Sequence, residues 1–169
     1  GRANGYVRSE GMGAFALRSS TTATYLSILG TALRQDGRSA SLTAPNGTMQ
    51  QVLLSEALQQ SARKPTDFGM LEAHGTGTAL GDPTEVRALS SVHVRHDTSV
   101  CIGAVKANVG HSEAASGALG LMKVQDQLGA RFAVGNAHLR VLNKMMIGVE
   151  LTKGRVPLPF LMTAQGYVR

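Results

Sequence analysis

The sequence has no tryptophan, a single cysteine (Cys101) and only 4% aromatic residues in a chain of 169. One cysteine cannot form an internal disulfide framework or a zinc site built from several thiolates, and it suits a reducing, intracellular setting. Few aromatic rings argue against the stacking platforms that bind single-stranded nucleic acid. We therefore expect no bound metal, no nucleic-acid partner and a cytoplasmic location, with a plastid left open.

Long hydrophobic runs are also missing. No apolar stretch approaches the roughly 18 residues of a membrane-spanning helix, and the first residues lack a signal-peptide pattern. The hydrophobic content of 43% and mean hydropathy of -0.02 are typical of a globular protein of one domain. The net charge of +6, with a pI near 10.0, favours an acidic partner or a solvated basic surface.

Apolar segments that suit strands alternate with segments of helical periodicity. This alternation predicts an α/β fold in which helices cover a sheet. Small residues between Ala114 and Gly120 indicate that the last predicted helix packs tightly as a central, buried element. The predicted strands are 11–19, 24–33, 67–73, 99–105 and 148–153, with 156–160 extended. The predicted helices start at Pro45, Pro83 and Ser112.

The stretch LEAHGTGTALGDPTEVRAL carries the first candidate site residue, His74. Asp82 and Pro83 are typical of a helix N-cap and first helical position, and Glu85 follows at a spacing close to that of a capping box. His74 would then lie on a Gly-rich loop (75–81) between a strand and a helix. Ligands bind at such strand ends in open α/β sheets.

A second strand end, in IGAVKANVGHSEAASG, has the same organisation. The predicted strand leads to Lys106, and His111 follows a short polar loop just before the next helix. Because parallel strands end at the same edge of a sheet, we expect His74, Lys106 and His111 to share a pocket.

Other interpretations of these motifs fit less well. A dinucleotide-binding loop in HGTGTALG would need a third glycine where Leu80 stands. The GHSEA sequence resembles a nucleophile elbow, but Ala114 replaces the required glycine. A metal site using the two histidines with Asp82 or Glu85 matches no short zinc motif. The remaining histidines, at positions 93, 96 and 138, are predicted to be surface or capping residues.

Four segments in order, GYVRSEGMG, DGRSASLTAPNG, EAHGTGTALGDPTE and IGAVKANVGHSEAASG, resemble the C-terminal half of a β-ketoacyl synthase domain. The form is closest to polyketide synthases, with fatty acid synthases next, and the resemblance runs from Gly1 to about Asn143. It implies a thiolase-like layered αβαβα fold made of two similar halves. We therefore expect residues 1–169 to be a partial domain, truncated at both ends.

The resemblance implies a decarboxylative Claisen condensation, the reaction of an acyltransferase. A cysteine thiolate takes the acyl chain, malonyl thioester loses CO2, and the resulting enolate attacks the acyl-cysteine. The two histidines of the family correspond to His74 and His111, whose N–H groups would stabilise the enolate, and its lysine corresponds to Lys106, which would hold His111 in place. The residues expected to support them or contact substrate are Thr76, Gly77, Thr78, Asn108 and Glu113.

The same resemblance implies the partners. Acyl and malonyl units would arrive as phosphopantetheine thioesters on an acyl carrier protein, with no cofactor bound directly. The complete domain would be a homodimer, with neighbouring synthase domains. The family's nucleophilic cysteine lies upstream of the region matching Gly1, and Cys101 is expected to be a buried apolar residue within a strand. We therefore expect the chain alone to be inactive.

Two alternatives stay open at this point. The chain is consistent with a non-condensing relative, either a decarboxylase or an accessory subunit. It is also consistent with a scaffold that binds acyl chains or a carrier protein. The two histidines favour condensation or decarboxylation, because a scaffold does not need groups that stabilise an enolate.

Overall fold

The computed structural model describes residues 5–19, 26–39, 41, 44–93, 100–134, 136, 146 and 156–157. The predicted alternation of strands and helices is confirmed from residue 47 onward, although the strands there are shorter than expected. Two 3-10 turns lie at Pro65–Asp67 and Glu113–Ala115. The helices and strands are α1 (Gly47–Ser61), β1 (Met70–Glu72), α2 (Gly81–His93), β2 (Cys101–Gly103), α3 (Lys106–Val109), α4 (Ser116–Ala130), β3 (Phe132–Ala133) and β4 (Val156–Pro157).

The centre of the fold is the parallel pair β1 and β2, in which Met70 lies opposite Cys101 and Leu71 opposite Ile102. Side chains alternate between the two faces of a strand. Leu71 and Ile102 therefore pack on one side, with Leu89 of α2. Met70 and Cys101 pack on the other side, against α4. The sheet thus has helices on both faces, and Cys101 is the buried apolar residue that its sequence context predicts.

The starts of α1 and α2 differ by two residues from the predicted positions. Helix α1 begins after Asn46, whose Oδ1 accepts the N–H of Met49 at 3.2 Å, so the predicted start at Pro45 is wrong. Helix α2 begins at Gly81. The prediction that Asp82 is the N-cap is also wrong, because Asp82 lies inside the helix and its carboxylate binds the preceding loop.

The first described segment does not form the strand predicted at 11–19. It lies against α4 instead, where a Cβ added to Gly11 would come within 3.0 Å of Leu119. The described residues offer it no neighbouring strand, and Met12 is 89% exposed. Residues 26–33 also form no strand, and the rest of the strand predicted at 24–33 lies outside the described residues.

Helix α4 is less buried than its small residues suggested. Only Gly120, Val124 and Gln127 are buried, so the prediction of a central, buried helix is wrong. Close packing is confirmed at Gly120, where an added Cβ would lie 3.4 Å from Cγ of Glu72. Gly117 has open space around it, because it lies beside a groove rather than against another element.

The C-terminal part contributes one short strand. Strand β4 pairs antiparallel with β3, which agrees with the extended structure predicted from residue 156 onward. The strand predicted at 148–153, and residues 158–160, lie outside the described residues. Within the described ranges, every helix is too short or too polar to span a membrane.

His93 is buried, with 3% of its surface exposed, so its prediction as a surface or capping residue is wrong. It is the last residue of α2, and its ring packs edge-on against Phe68 with centroids 4.9 Å apart. Burial lowers the pKa of His93 from its ordinary value of 6.5 to about 4. His96 and His138 lie outside the described residues.

The burial of His93 predicts a loss of stability in mild acid. The unfolded chain binds a proton near pH 6.5 and the folded chain only near pH 4, so the free energy of unfolding falls as the pH drops through that interval. Between pH 7 and pH 5 the loss attributable to this residue is on the order of 2 kcal/mol. Urea unfolding at pH 7 and pH 5 should show a smaller decrease for His93→Phe than for the parent chain. An equal decrease in both proteins would refute this explanation.

Candidate active site

The parallel pairing of β1 and β2 places the predicted site residues at one edge of the sheet. His74 comes two residues after β1, and Lys106 comes three residues after β2. His111 follows α3. The rings of His74 and His111 lie 5.5 Å apart, centroid to centroid, and are nearly perpendicular at 87°. The structure therefore brings the two histidines together, and Lys106 lines the same groove as His74.

Two carboxylates of α2 hold the loop that carries His74. Glu85 accepts the backbone N–H groups of His74 and Gly75 at 2.6 and 2.9 Å, and Asp82 accepts that of Gly77 at 3.0 Å. The expected capping box is thus replaced by bonds to the loop. Gly75 and Gly77 have positive φ angles of 51° and 73°, which glycine adopts without strain. Burial raises the pKa of Glu85, and its bonds to Gly75 and His74 oppose that shift.

His111 is held with one ring nitrogen occupied. Its Nδ1 accepts the backbone N–H of Glu113 at 3.0 Å, so the proton of the neutral ring lies on Nε2. Its own backbone donates to Val7 and accepts from Ser9, at 2.8 and 2.9 Å. The Tyr6 ring packs 4.7 Å from the imidazole. These contacts bury His111 and leave Nε2 as its hydrogen-bond donor.

Burial and neighbouring groups lower the pKa of His74. Burial, then Lys106, then His111 lower the pKa of His74 below its ordinary value, so the ring is uncharged at pH 7. Burial also lowers the pKa of Lys106, while Glu85 and Glu72 raise it. The family resemblance implied that Lys106 holds His111. The charged groups that shift the pKa of Lys106, however, are Glu85 and Glu72.

Thr76, Gly77 and Thr78 were predicted to support the site. In the structure they determine the conformation of the loop that follows His74. Thr76 is buried, and its Oγ1 lies 3.4 Å from that of Thr78. Thr78 Oγ1 accepts the N–H of Gly81, the first residue of α2, at 3.1 Å. The carbonyl of Gly77 accepts the N–H of Gly5 at 2.9 Å. These three residues therefore position the loop through local hydrogen bonds.

The other two predicted supporting residues are exposed. Asn108 lies on α3, one turn of helix between Lys106 and His111. The Glu113 side chain forms an ion pair with Arg8 at 2.7 Å, in which the two side chains are 47% and 75% exposed. An ion pair so exposed contributes little to stability. The contact of Glu113 with the site is its backbone N–H bond to His111.

Sequence reasoning missed a buried ion pair beside the site. Glu72 of β1 and Lys123 of α4 lie 2.6 Å apart with side chains 7% and 10% exposed. Glu72 lines an open groove of about 350 Å3 together with His74, Lys106 and Gly117. The signal was present in the sequence, since a carboxylate inside a short buried strand needs a partner.

Comparison with known proteins identifies the family. Residues 25–140 match the family model described as beta-ketoacyl synthase, C-terminal domain. The chain is 44% identical over 130 residues to one of the phenolphthiocerol/phthiocerol polyketide synthase proteins of Mycobacterium tuberculosis, in an alignment covering 72% of the chain and 7% of that protein. It is 46% identical over 145 residues to another protein of the same synthase in that organism, covering 81% of the chain and 6% of that protein.

Comparison with solved structures points to the same family. An oxazolomycin ketosynthase domain from Streptomyces albus JA3453 superposes with a TM-score of 0.71 at 35% identity, covering 78% of this chain and 24% of that chain. The ketosynthase from module 6 of the bacillaene synthase of Bacillus subtilis 168 gives 0.66 at 33% identity, covering 70% of this chain and 22% of that chain. The chain thus spans less than a tenth of the curated relatives and about a quarter of these structures.

These matches confirm the thiolase-like αβαβα fold that the motifs implied, because the structural neighbours are ketosynthase domains. The helix–sheet–helix layers around β1 and β2 are the part of that fold that this chain supplies. The chain belongs to the β-ketoacyl synthase family and corresponds to the C-terminal domain of a polyketide synthase ketosynthase.

Proposed function

We propose that this chain provides the enolate-stabilising part of a β-ketoacyl synthase that extends polyketide chains by decarboxylative condensation. The observation that supports this most directly is the pair of facing imidazoles, His74 and His111, at 5.5 Å. Because the N–H of Glu113 occupies Nδ1 of His111, the donor of that ring is Nε2–H. Imidazole N–H groups on two rings at this separation can both donate to one oxygen atom.

The geometry suits the loss of CO2 from malonyl thioester. The bond between the carboxylate and the α-carbon breaks, and its electron pair forms an enolate whose negative charge lies on the thioester oxygen. N–H groups of His74 and His111 donate to that oxygen, and each preorganised donor lowers the barrier by about 3 kcal/mol. The positive charge of Lys106 beside His74 adds to this stabilisation.

Carbon–carbon bond formation follows in the proposed reaction. The α-carbon of the enolate attacks the carbonyl of an acyl-cysteine, and the cysteine leaves as a thiolate when the tetrahedral intermediate collapses. Cys101 cannot hold that acyl chain, because it is 1% exposed in the middle of the core around β2. The nucleophilic cysteine therefore comes from another part of the synthase.

The proposed reaction requires carrier-bound substrates and a complete, assembled domain. Acyl and malonyl units arrive as phosphopantetheine thioesters on an acyl carrier protein, and the net charge of +6 favours an acidic carrier. The active unit is a homodimer of complete domains, acting with neighbouring synthase domains in the cytoplasm. The polyketide synthase relatives support the carrier protein and the neighbouring synthase domains.

A second candidate is decarboxylation without condensation, in a loading domain or an accessory protein of the synthase. Two features of this chain favour this candidate. His74 and His111 are suited to the loss of CO2, and the single thiol, Cys101, is buried. The residue at the nucleophile position of the complete domain distinguishes the two candidates. A cysteine there supports condensation, and glutamine supports decarboxylation alone.

Removing one donor tests the proposed role of the two histidines. In the complete ketosynthase domain, His74→Ala should slow CO2 release from malonyl thioester by about 100-fold, because one stabilising hydrogen bond to the enolate oxygen is lost. Release of CO2 from carboxyl-labelled malonyl thioester measures this directly. His93→Phe serves as the control, since His93 is buried against Phe68 at the far end of α2. Unchanged CO2 release in His74→Ala would refute the assignment.

The buried position of Cys101 leads to a prediction about the nucleophile. The isolated chain of 169 residues should form no β-ketoacyl product from acyl and malonyl thioesters. In the complete domain, Cys101→Ala should retain condensation within about twofold, because the thiol packs in the core and does not face the groove. Mass spectrometry of the products measures both. Product from the isolated chain would overturn the proposal that the nucleophile lies elsewhere.

A further inference from the structure

The buried ion pair of Glu72 and Lys123 connects α4 to the turn that carries Lys106. Glu72 follows Met70 on the face of β1 that looks toward α4, because side chains two residues apart share a face. One carboxylate oxygen, Oε2, binds Nζ of Lys123 at 2.6 Å. The other, Oε1, accepts the backbone N–H of Val105, the residue just before Lys106.

The surroundings of this carboxylate are built to hold it in one place. Gly120 packs beside it, where an added Cβ would come within 3.4 Å of Glu72 Cγ. The side chains of Glu72 and Lys123 are 7% and 10% exposed, so water screens their interaction poorly. A carboxylate that binds both a lysine and a backbone N–H has little freedom to move, and the position of the Val105–Lys106 peptide depends on it.

We infer that Glu72 and Lys123 are positioning residues of the proposed decarboxylation site, with Glu72 fixing Lys106 beside His74 and Lys123 keeping that carboxylate in place. This inference rests on the proposed function. Both residues act through Lys106, because Glu72 binds the backbone N–H of Val105 and Lys123 binds Glu72. All three of Glu72, His74 and Lys106 line the same groove.

The charges around Lys106 give the direction of the expected pH effect. Burial lowers the pKa of Lys106, whereas Glu85 on α2 and Glu72 on β1 raise it, and the charge of Lys106 in turn lowers the pKa of His74 on the loop. Burial raises the pKa of Glu72 itself, and Lys123 opposes that rise. Replacing Glu72 by Gln removes one of the two carboxylates that raise the pKa of Lys106, which then loses its proton at lower pH.

The test uses Glu72→Gln, Lys123→Met and the double variant in the complete ketosynthase domain. For each we expect kcat for malonyl decarboxylation to fall at least tenfold with a smaller change in KM. For Glu72→Gln we also expect the alkaline limb of the pH–kcat profile to move to lower pH. The double variant removes both buried charges and should recover the thermal midpoint lost in the single variants without recovering kcat. Recovery of kcat together with stability would show that the pair is only structural and overturn the inference.

The exposed ion pair of Arg34 and Glu56 provides a matched control. Arg34 Nε lies 2.9 Å from Glu56 Oε2, away from the two strand ends, so Arg34→Met should leave kcat and the pH profile unchanged. His74→Ala separates this inference from the proposed function. If His74→Ala suppresses CO2 release while folded Glu72→Gln and Lys123→Met keep the parent kcat and pH profile, the positioning role is wrong and the proposed function stands. If His74→Ala has no effect, the proposed function itself fails.

Discussion

The parallel pairing of β1 and β2 is the constraint on which the site depends. The two strands are only three residues long, yet their register places the ends of both at one edge. A chain that leaves β1 reaches His74 within two residues, and a chain that leaves β2 reaches Lys106 within three. An antiparallel pair would send these segments to opposite edges. The convergence of residues about 30 positions apart therefore follows from strand direction.

Buried carboxylates then fix the loops that emerge from this edge. Glu85 binds two backbone N–H groups at His74 and Gly75, and Glu72 binds the N–H of Val105. Loop N–H groups that are removed from water need such acceptors. The same bonds help to keep each carboxylate ionised although burial raises its pKa. Acidic residues in these motifs thus act mainly on the backbone, and the histidines remain available to a ligand.

Sequence reasoning predicted the features that depend on local pattern and motif. The existence of the helix around Met49 and Leu53 and of the strands around Leu71 and Ile102 is visible in the periodicity. The meeting of His74 with His111 is visible in the strand-end loops. The strand predicted at 11–19 depends on a partner elsewhere in space, which no local pattern reveals. The burial of His93 and the pairing of Glu72 with Lys123 likewise depend on packing between distant segments.

The protonation state of His111 is the most direct test of the account. With Nδ1 accepting the N–H of Glu113, the neutral ring must carry its proton on Nε2. Long-range 15N–1H correlation spectra of the imidazole at pH 7 report which nitrogen is protonated, and loss of the signal in His111→Gln assigns it. The account predicts the Nε2–H tautomer. A neutral ring protonated on Nδ1 instead would contradict the proposal that His111 donates through Nε2 to the enolate oxygen.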